Sequence, residues 1–392
     1  MHDEKLRAFW SHKQGLDGSL RGKTAVEILN RAGWARSVAG AGPYLTFFSR
    51  GGLGRAPVDE LIARTEIHEL PAARGCTYIL PASDYALGLK LGQPFTEVET
   101  KTALKLGVTV KELDKLQKAI VEALGAGPLD TDGLRSAVGP AGRSLGPEGV
   151  KKGITTTLPV ALGIMQSEGV IRRIPINGRL DQQRYRYALW RPNPMANLKL
   201  NGDDALTEVG RQYFTWIGPA SLAEFQWFSG VSGKAAKAAL EPLELHPVET
   251  SGFPRLMLAA DRDAFENFKV PKKPEYSLVG SLDSMNVLRR NLPTLVAPED
   301  SGRVQGKKGM VDDLADHAIF DRGRLVGLWQ FDTTANSIVW TSFIKVDAGL
   351  KEAVRMTEAY VRDELGDARR GSLDSPQSRV PRVEALRKAG HA

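Results

Sequence analysis

The sequence predicts an α+β fold in which tandem winged-helix (helix-turn-helix) modules are followed by a C-terminal β-rich domain. Two observations carry this prediction: helical spacing of apolar residues that changes to strand-like alternation, and a glycine–proline spacing that occurs twice. A chain of 392 residues is also too long for one ordinary hydrophobic core. We expect modules at residues 1–95, 96–195 and 203–262, and the β-rich domain at 274–392.

The clearest module lies within residues 109–191. Its predicted elements are helices at 111–124, 131–138 and 155–169, a Gly/Pro-rich loop at 139–153, and strands at 170–174 and 183–190. Asp130 is placed to cap the second helix, and Asn177-Gly178 favours a tight hairpin turn. Helices followed by a hairpin form a winged helix, whose third helix enters the major groove while the hairpin lies on the DNA backbone.

A second copy of this pattern follows. The dipeptide Gly-Pro at 127–128 is followed by Gly139, and Gly-Pro at 218–219 is followed at the same spacing by Gly230. The copy has predicted helices at 205–217, 221–228 and 232–243, and predicted strands at 245–249 and 255–258. An internal repeat of this kind indicates a tandem array.

The two ends of the chain differ from these modules. The N-terminal part is a looser copy, with helices at 6–13, 24–32 and 58–64, a strand at 76–80, and glycine-rich patches at 40–42 and 51–54. The C-terminal part has a basic linker at 269–274, strands at 317–320, 325–331 and 337–340, a helix at 350–365 and a basic, turn-rich tail at 369–388.

The charge of the chain indicates an anionic partner. The formal net charge is +7 and the isoelectric point is about 9.3. Nucleic acid is the commonest such partner, although a moderate excess also serves solubility alone. We expect double-stranded DNA as the partner, a monomeric chain, and a cytoplasmic location that becomes nucleoid-associated on binding.

Composition also excludes several kinds of site. With Cys76 as the one cysteine and six scattered histidines, neither an internal disulfide nor a structural zinc site is expected, and a reducing compartment fits. Cys76 is predicted to be a small core residue on a strand. The sequence has no apolar run long enough to span a membrane, no secretory signal, and no phosphate-loop, dinucleotide or hydrolase motif. We expect no metal and no cofactor.

Arginines concentrate on the predicted hairpin of the second module. They are Arg172, Arg173, Arg179, Arg184 and Arg186, and the one acidic residue near them in the sequence is Asp181. Guanidinium groups on an exposed hairpin suit phosphate contacts, and the alternative is a solvated strand face paired to acids. The predicted DNA contacts also include Arg36, Arg50 and Arg74.

Four separated segments resemble the AlkZ-like DNA glycosylase family. They are GPASLAEFQWFSG at 218–230 together with the helix before it, AIFDRGRLVGLW at 318–329, RGCTYILPASD at 74–84, and Asp283, which matches an acidic position after the third module. The likeness covers nearly the whole chain in order. It implies tandem winged helices, a C-terminal β-domain, and excision of bulky N-alkylated purines or unhooking of interstrand crosslinks without a metal or cofactor.

The family's catalytic signature is not conserved in this sequence. The family carries Gln, an apolar or small residue, and then Gln or Asp, whereas Ala35, Arg36 and Ser37 stand at that position here. Alanine cannot hold a water, and serine is a poor base without a partner. A sequence that fits the signature does occur at 330–332, but it lies in the C-terminal domain rather than in the N-terminal module, so we treat it as a chance match.

Other residues are candidates for the missing chemistry. Glu66, His68 and Glu69 lie together before a predicted strand, and one of them is a candidate general base; the alternative is a solvated helix end. The aromatic residues Trp34, Tyr44, Phe47 and Phe48 are candidates to line a lesion site, and the alternative for them is ordinary core.

Three hypotheses follow from the sequence. The first is a DNA repair glycosylase, since an alkylated purine is a good leaving group and needs only modest transition-state stabilisation. The second is a DNA-binding protein without catalysis, such as a regulator or a lesion-binding factor. The third is a scaffold whose winged helices contact protein.

Overall fold

The computed structural model describes residues 2–181, 184–250, 254–306, 309–310 and 313–391. Its helices are α1 (His2–Lys13), α2 (Ala25–Ala32), α3 (Gly42–Gly51), α4 (Arg55–Ala63), α5 (Tyr85–Lys105), α6 (Val110–Gly125), α7 (Thr131–Val138), α8 (Gly146–Lys151), α9 (Thr157–Ser167), α10 (Gly202–Ile217), α11 (Leu222–Ser229), α12 (Gly233–Leu240), α13 (Arg262–Asn267), α14 (Ser284–Val287), α15 (Ala348–Tyr360) and α16 (Pro376–Ala389). Its strands are β1 (Ala35–Arg36), β2 (Ile67–Pro71), β3 (Thr77–Pro81), β4 (Ile171–Pro175), β5 (Tyr185–Leu189), β6 (Leu245–Val248), β7 (Arg255–Leu258), β8 (Tyr276–Val279), β9 (Gln305–Gly306), β10 (Gly309–Met310), β11 (His317–Asp321), β12 (Arg324–Asp332) and β13 (Ser337–Ser342).

The chain divides into two compact units. One, which we call the split unit, consists of Met1–Ile67 and Leu206–Ala392, and the other, the central unit, is His68–Ala205. The central unit is therefore an insertion into the sequence of the split unit. The predicted boundary between residues 95 and 96 falls inside α5, a helix that the sequence analysis did not anticipate.

The central unit is built around the amphipathic helix α6. Thr109 and Glu112 form a capping box at its start, and Leu116 and Ile120 on its apolar face are buried. They pack in one core with residues of α7, α9 and β4. The predicted helices at 111–124 and 131–138 are confirmed, and the predicted strand at 183–190 is observed as β5, with Gln183 outside the described residues.

The repeated Gly-Pro segments have the same structural role in both units. In the central unit, Leu129 pairs with Tyr187 of β5 through main-chain hydrogen bonds of 3.1 and 2.7 Å. In the split unit, Ala220 pairs with Leu256 of β7 through bonds of 2.9 and 2.8 Å. Each of these main-chain pairs is a β-bridge. A helix, α7 or α11, follows each bridge and ends at a glycine with positive φ. The sequence repeat is therefore a repeat of helices closed by a hairpin.

An antiparallel sheet organises the C-terminal part of the split unit. Its strand order is β13-β12-β11-β8, and every residue of β11 is buried. Trp10 of α1 and Leu386 of α16 belong to the same core as Phe320 and Leu325 of the sheet. The predicted α+β class and the C-terminal β-rich domain are confirmed.

Several helices arise where the sequence predicted loops or a turn-rich tail. α8 lies in the predicted Gly/Pro-rich loop, α16 lies in the basic tail, and α3 spans the residues between the two glycine-rich patches. In α3, Pro43 occupies the first turn and Tyr44 and Phe47 are buried, so tertiary packing outweighs the low helix propensity of glycine. In α16, Ser375 caps the start and Leu386 is buried, which stabilises a helix despite its internal proline.

A buried ion pair joins distant segments of the split unit. Both guanidinium Nη atoms of Arg50 donate to the carboxylate of Asp283 at 2.8 Å, and neither side chain is exposed. Arg50 also donates to Gln14 Oε1 at 3.0 Å. The Gln14 amide in turn donates to the carbonyl oxygens of Ala32 and Trp216, at 2.8 and 3.0 Å. The network links the segment after α1 with α2, α3, α10 and the start of α14.

We predict that Asp283→Ala lowers the free energy of unfolding by about 3–5 kcal/mol, because it leaves a buried guanidinium without its counter-charge. Urea denaturation followed by circular dichroism measures the change. Glu352→Ala is the control, since it removes one carboxylate from a solvent-exposed pair with Arg355, where water screens the charges and the loss of stability should be much smaller. Equal losses in the two variants would contradict the assignment.

Candidate nucleic-acid interface

The β4–β5 hairpin of the central unit presents two exposed arginines. Ile174 lies opposite Arg186 in the register, and Arg184 precedes β5 by one residue. Since side chains alternate along a strand, Arg184 and Arg186 point to the same face. Both are exposed, and the one hydrogen bond of the Arg186 guanidinium to the described residues is a long one of 3.5 Å to the carbonyl oxygen of Ile176. This face of the hairpin can therefore reach an external anion.

Two of the other three hairpin arginines are held by acids of the central unit. Arg173 donates from Nη2 to Glu69 Oε1 at 3.0 Å and lies over the ring of Tyr185. Arg179 donates from Nε to Asp181 Oδ1 at 2.9 Å. Arg172 is half-buried, and this burial lowers its pKa. Asp181 is close to Arg179 in the sequence, whereas Glu69 is distant in sequence from Arg173 and becomes its neighbour only in the fold.

The remaining predicted DNA contacts occupy different environments. Arg50 is completely buried and bound to Asp283, so its guanidinium is not presented to an external phosphate. Arg36, on β1, and Arg74, in a short turn before β3, are both half-buried and have contacts of their own. The structure does not bring these three arginines together with Arg184 and Arg186 on one hairpin.

The third helices of the two repeats differ in exposure. Within Thr157–Ser167, the helix α9 carries no charged residue and Pro159 is its one exposed position, because it packs against α5 and α6. α9 therefore has no polar face with which to enter a groove, contrary to the expectation for this module. α12 exposes Lys234 and Lys237, one helical turn apart. These two lysines are not among the DNA contacts predicted from the sequence, although their spacing of three residues places them on one helix face.

The candidate general bases do not form one site. Glu66 is exposed and binds Arg64 at 3.1 Å, whereas Glu69 is buried and bound to Arg173. His68 is 2% exposed, neither of its ring nitrogens has a partner among the described residues, and Trp190 and Tyr85 pack edge-on against it. Burial, assisted by Arg172 and Arg173, lowers the pKa of His68 to about 3. His68 is therefore neutral, and the alternative of a solvated helix end does not describe it either.

Two of the three side chains at the position of the family's catalytic signature are closed to solvent. Ala35 is 1% exposed and Ser37 is 0% exposed, on and directly after β1. Trp34 packs against Trp216 and Phe228 with ring centroids 5.4 and 6.2 Å apart. These residues form the interior of the split unit rather than a surface that could receive a base.

The other aromatic candidates are likewise part of the packing. Tyr44 is buried and donates its hydroxyl to Asp59, and Phe47 is fully buried. Phe48 stacks on Tyr360 with ring centroids 4.0 Å apart. The alternative of ordinary core therefore describes them. Gln330, from the chance motif match, is also buried and donates to Asp316 at 2.8 Å.

The described part of the chain contains no group of three or more His, Cys, Asp or Glu side chains arranged to hold a metal ion. Cys76 is half-buried and lies immediately before β3 rather than inside it. None of the helices among the described residues has the length and apolar character required to cross a membrane.

Comparisons with known proteins agree with this architecture. A family model described as DNA glycosylase AlkZ-like matches residues 36–373. Among solved structures, the fold is similar to that of Streptomyces sahachiroi DNA glycosylase AlkZ, with a TM-score of 0.69 and 18% sequence identity over 94% of this chain and 98% of that chain. No curated protein gives a significant match to the sequence.

We predict that His68 makes the protein acid-sensitive. An unfolded histidine gains a proton near pH 6.5, whereas folded His68 stays neutral to about pH 3, so stability is full above pH 6.5 and falls as the pH decreases. Between pH 6.5 and pH 5, His68 should lower the free energy of unfolding by about 1.5 kcal/mol. His68→Leu should abolish it in urea titrations at several pH values, and His246→Leu, on exposed β6, is the control. An unchanged pH dependence in His68→Leu would refute the assignment.

Proposed function

The chain belongs to the AlkZ-like DNA glycosylase family, whose members act on DNA, and we propose from this premise that it binds double-stranded DNA through winged-helix modules at residues 96–195 and 203–262. The observation that carries the proposal is the exposed pair Arg184 and Arg186 on the β4–β5 hairpin. A hairpin with outward guanidinium groups suits the phosphates that flank a groove. We also propose that the protein is a monomer located in the cytoplasm.

The split unit has its own candidate contact. α12 is the third helix of its repeat, and its exposed face carries Lys234 and Lys237. In a winged helix the third helix enters the major groove. The lysines give this helix the charge for approaching phosphates, and the small residues between them allow close approach.

Base excision is the second candidate function, and family membership is the observation that favours it. The side chains at the signature position and the candidate general bases argue against base excision. The signature position holds the buried side chains of Ala35 and Ser37, His68 is neutral without a hydrogen-bond partner among the described residues, and Glu69 is bound to Arg173. None of these groups is placed to activate a water at a sugar carbon. We therefore favour DNA binding without base release, as in a lesion-binding factor or a regulator.

We predict that Arg184→Ala/Arg186→Ala weakens binding to a fluorescent duplex regardless of its sequence. Two lost phosphate contacts should reduce the slope of log affinity against log salt concentration by about 2. The matched control is Lys101→Ala/Lys151→Ala, which removes the same charge from exposed helix positions of the same unit. Equal slopes for the arginine variant and the wild type would rule out the hairpin as a phosphate contact.

We predict that the wild-type protein binds a duplex containing N7-methylguanine but does not accelerate release of the methylated base, because no described group at the signature position can activate water. Chromatographic detection of free base, against a protein-free control, measures this. Saturable acceleration of release would establish excision instead. Glu69→Gln would then test whether the buried carboxylate of Glu69 is responsible for the excision.

A further inference from the structure

A cavity of about 660 Å³ lies in the split unit between the first turn of α11 and the segment after α14. Ala223 and Trp227 of α11 form part of its wall, together with the consecutive residues Arg289, Arg290 and Asn291. Its volume falls within the roughly 300–1,000 Å³ of small-molecule sites in proteins. None of the residues considered above as DNA contacts or general bases lines it.

Arg289 is an incompletely satisfied cation in this wall. It is 1% exposed, and its Nη2 and Nη1 atoms donate to the carbonyl oxygens of Ile217 and Met285 at 2.7 and 3.4 Å. Its Nε has no hydrogen-bond partner among the described residues. Burial lowers the pKa of Arg289 to about 9, which reflects the cost of a guanidinium without a bound carboxylate. An anion in the cavity would offset this cost.

The acidic residue in the wall is shared between two buried arginines. Glu224 accepts from Arg255 Nη1 at both of its carboxylate oxygens, at 3.0 and 2.7 Å, and this pair is buried. Glu224 also accepts from the main-chain nitrogen of Ser221 in the capping box of α11. The charge of Glu224 also raises the pKa of Arg289, so two buried guanidinium groups share one carboxylate and one positive charge remains in excess.

The start of α11 adds donors at the same place. The capping box engages the amides of Ser221 and Glu224, whereas the first-turn amides of Leu222 and Ala223 have no acceptor within the helix. Together with the helix dipole, such amides favour a phosphate. Trp227, one turn further along, provides aromatic surface in the same cavity, with the guanidinium of Arg290 5.2 Å from its ring centroid.

We infer that this cavity binds a nucleotide, with the phosphate between the first turn of α11 and Arg289 and the base against Trp227. The same chemistry is offered by a free nucleoside monophosphate and by one unit of a DNA strand. This site is separate from the hairpin arginines, which belong to the central unit.

The test is calorimetric titration of the full-length protein with dGMP, inorganic phosphate and deoxyguanosine. dGMP should bind saturably and more tightly than either fragment, and inorganic phosphate should compete with it. Ala223→Glu places a carboxylate at the exposed first turn of α11, where it favours the helix but repels phosphate, and should weaken dGMP binding at least ~10-fold. Ala385→Glu, an exposed position on α16, is the matched control.

Trp227→Ala separates the two halves of the site. It should weaken dGMP binding by roughly 5-fold or more and leave inorganic phosphate unaffected. Competition by an unphosphorylated oligonucleotide would identify a DNA strand as the source, and its absence would identify a free nucleotide; both support the site. No binding of dGMP, equal binding by Ala223→Glu and wild type, or equal binding of dGMP and deoxyguanosine would overturn the inference. Ala223→Glu retains Arg184 and Arg186, so duplex binding can be scored separately.

Discussion

The buried pair of Arg50 and Asp283 is the interaction on which the split unit depends most. A charge removed from water is tolerated only when its partner and the remaining hydrogen bonds are in place. Arg50 therefore requires Asp283, which comes from more than 200 residues later in the chain, and it also requires the side chain of Gln14, which is itself anchored to two carbonyl groups. The N-terminal helices and the segment after β8 cannot separate without exposing or orphaning these groups.

Arginine has three distinct uses in this protein, and burial separates them. Arg50 and Arg255 are buried and bound to carboxylates, so they hold helices and strands in place. Arg173 and Arg179 are bound to acids beside the hairpin and are less available to an external anion. Arg184 and Arg186 keep exposed guanidinium groups. A count of arginines in the hairpin therefore overstates the charge that a nucleic acid would encounter.

The two repeats show how one pattern supports different surfaces. In both repeats, a residue just before the second helix forms a β-bridge to a strand of the hairpin, and a glycine ends that helix. The third helix differs because α5, which has no equivalent in the sequence pattern, covers α9 in the central unit. α12 retains an exposed face with two lysines. A helix that matches the pattern is therefore not automatically a helix that reads DNA.

Local information in the sequence determined the α+β class, the helices around residues 111–138 and the repeated hairpins, because helical periodicity, capping residues and Gly-Pro spacing act over a few residues. The family likeness was also visible in short segments. Only the tertiary structure decided which polar groups are available: Glu69 reaches Arg173, Asp283 binds Arg50, and His68 is enclosed by Tyr85 and Trp190. The cavity beside Arg289 likewise combines residues about 65 positions apart. Burial and charge pairing depend on contacts between distant segments, and no local pattern encodes them.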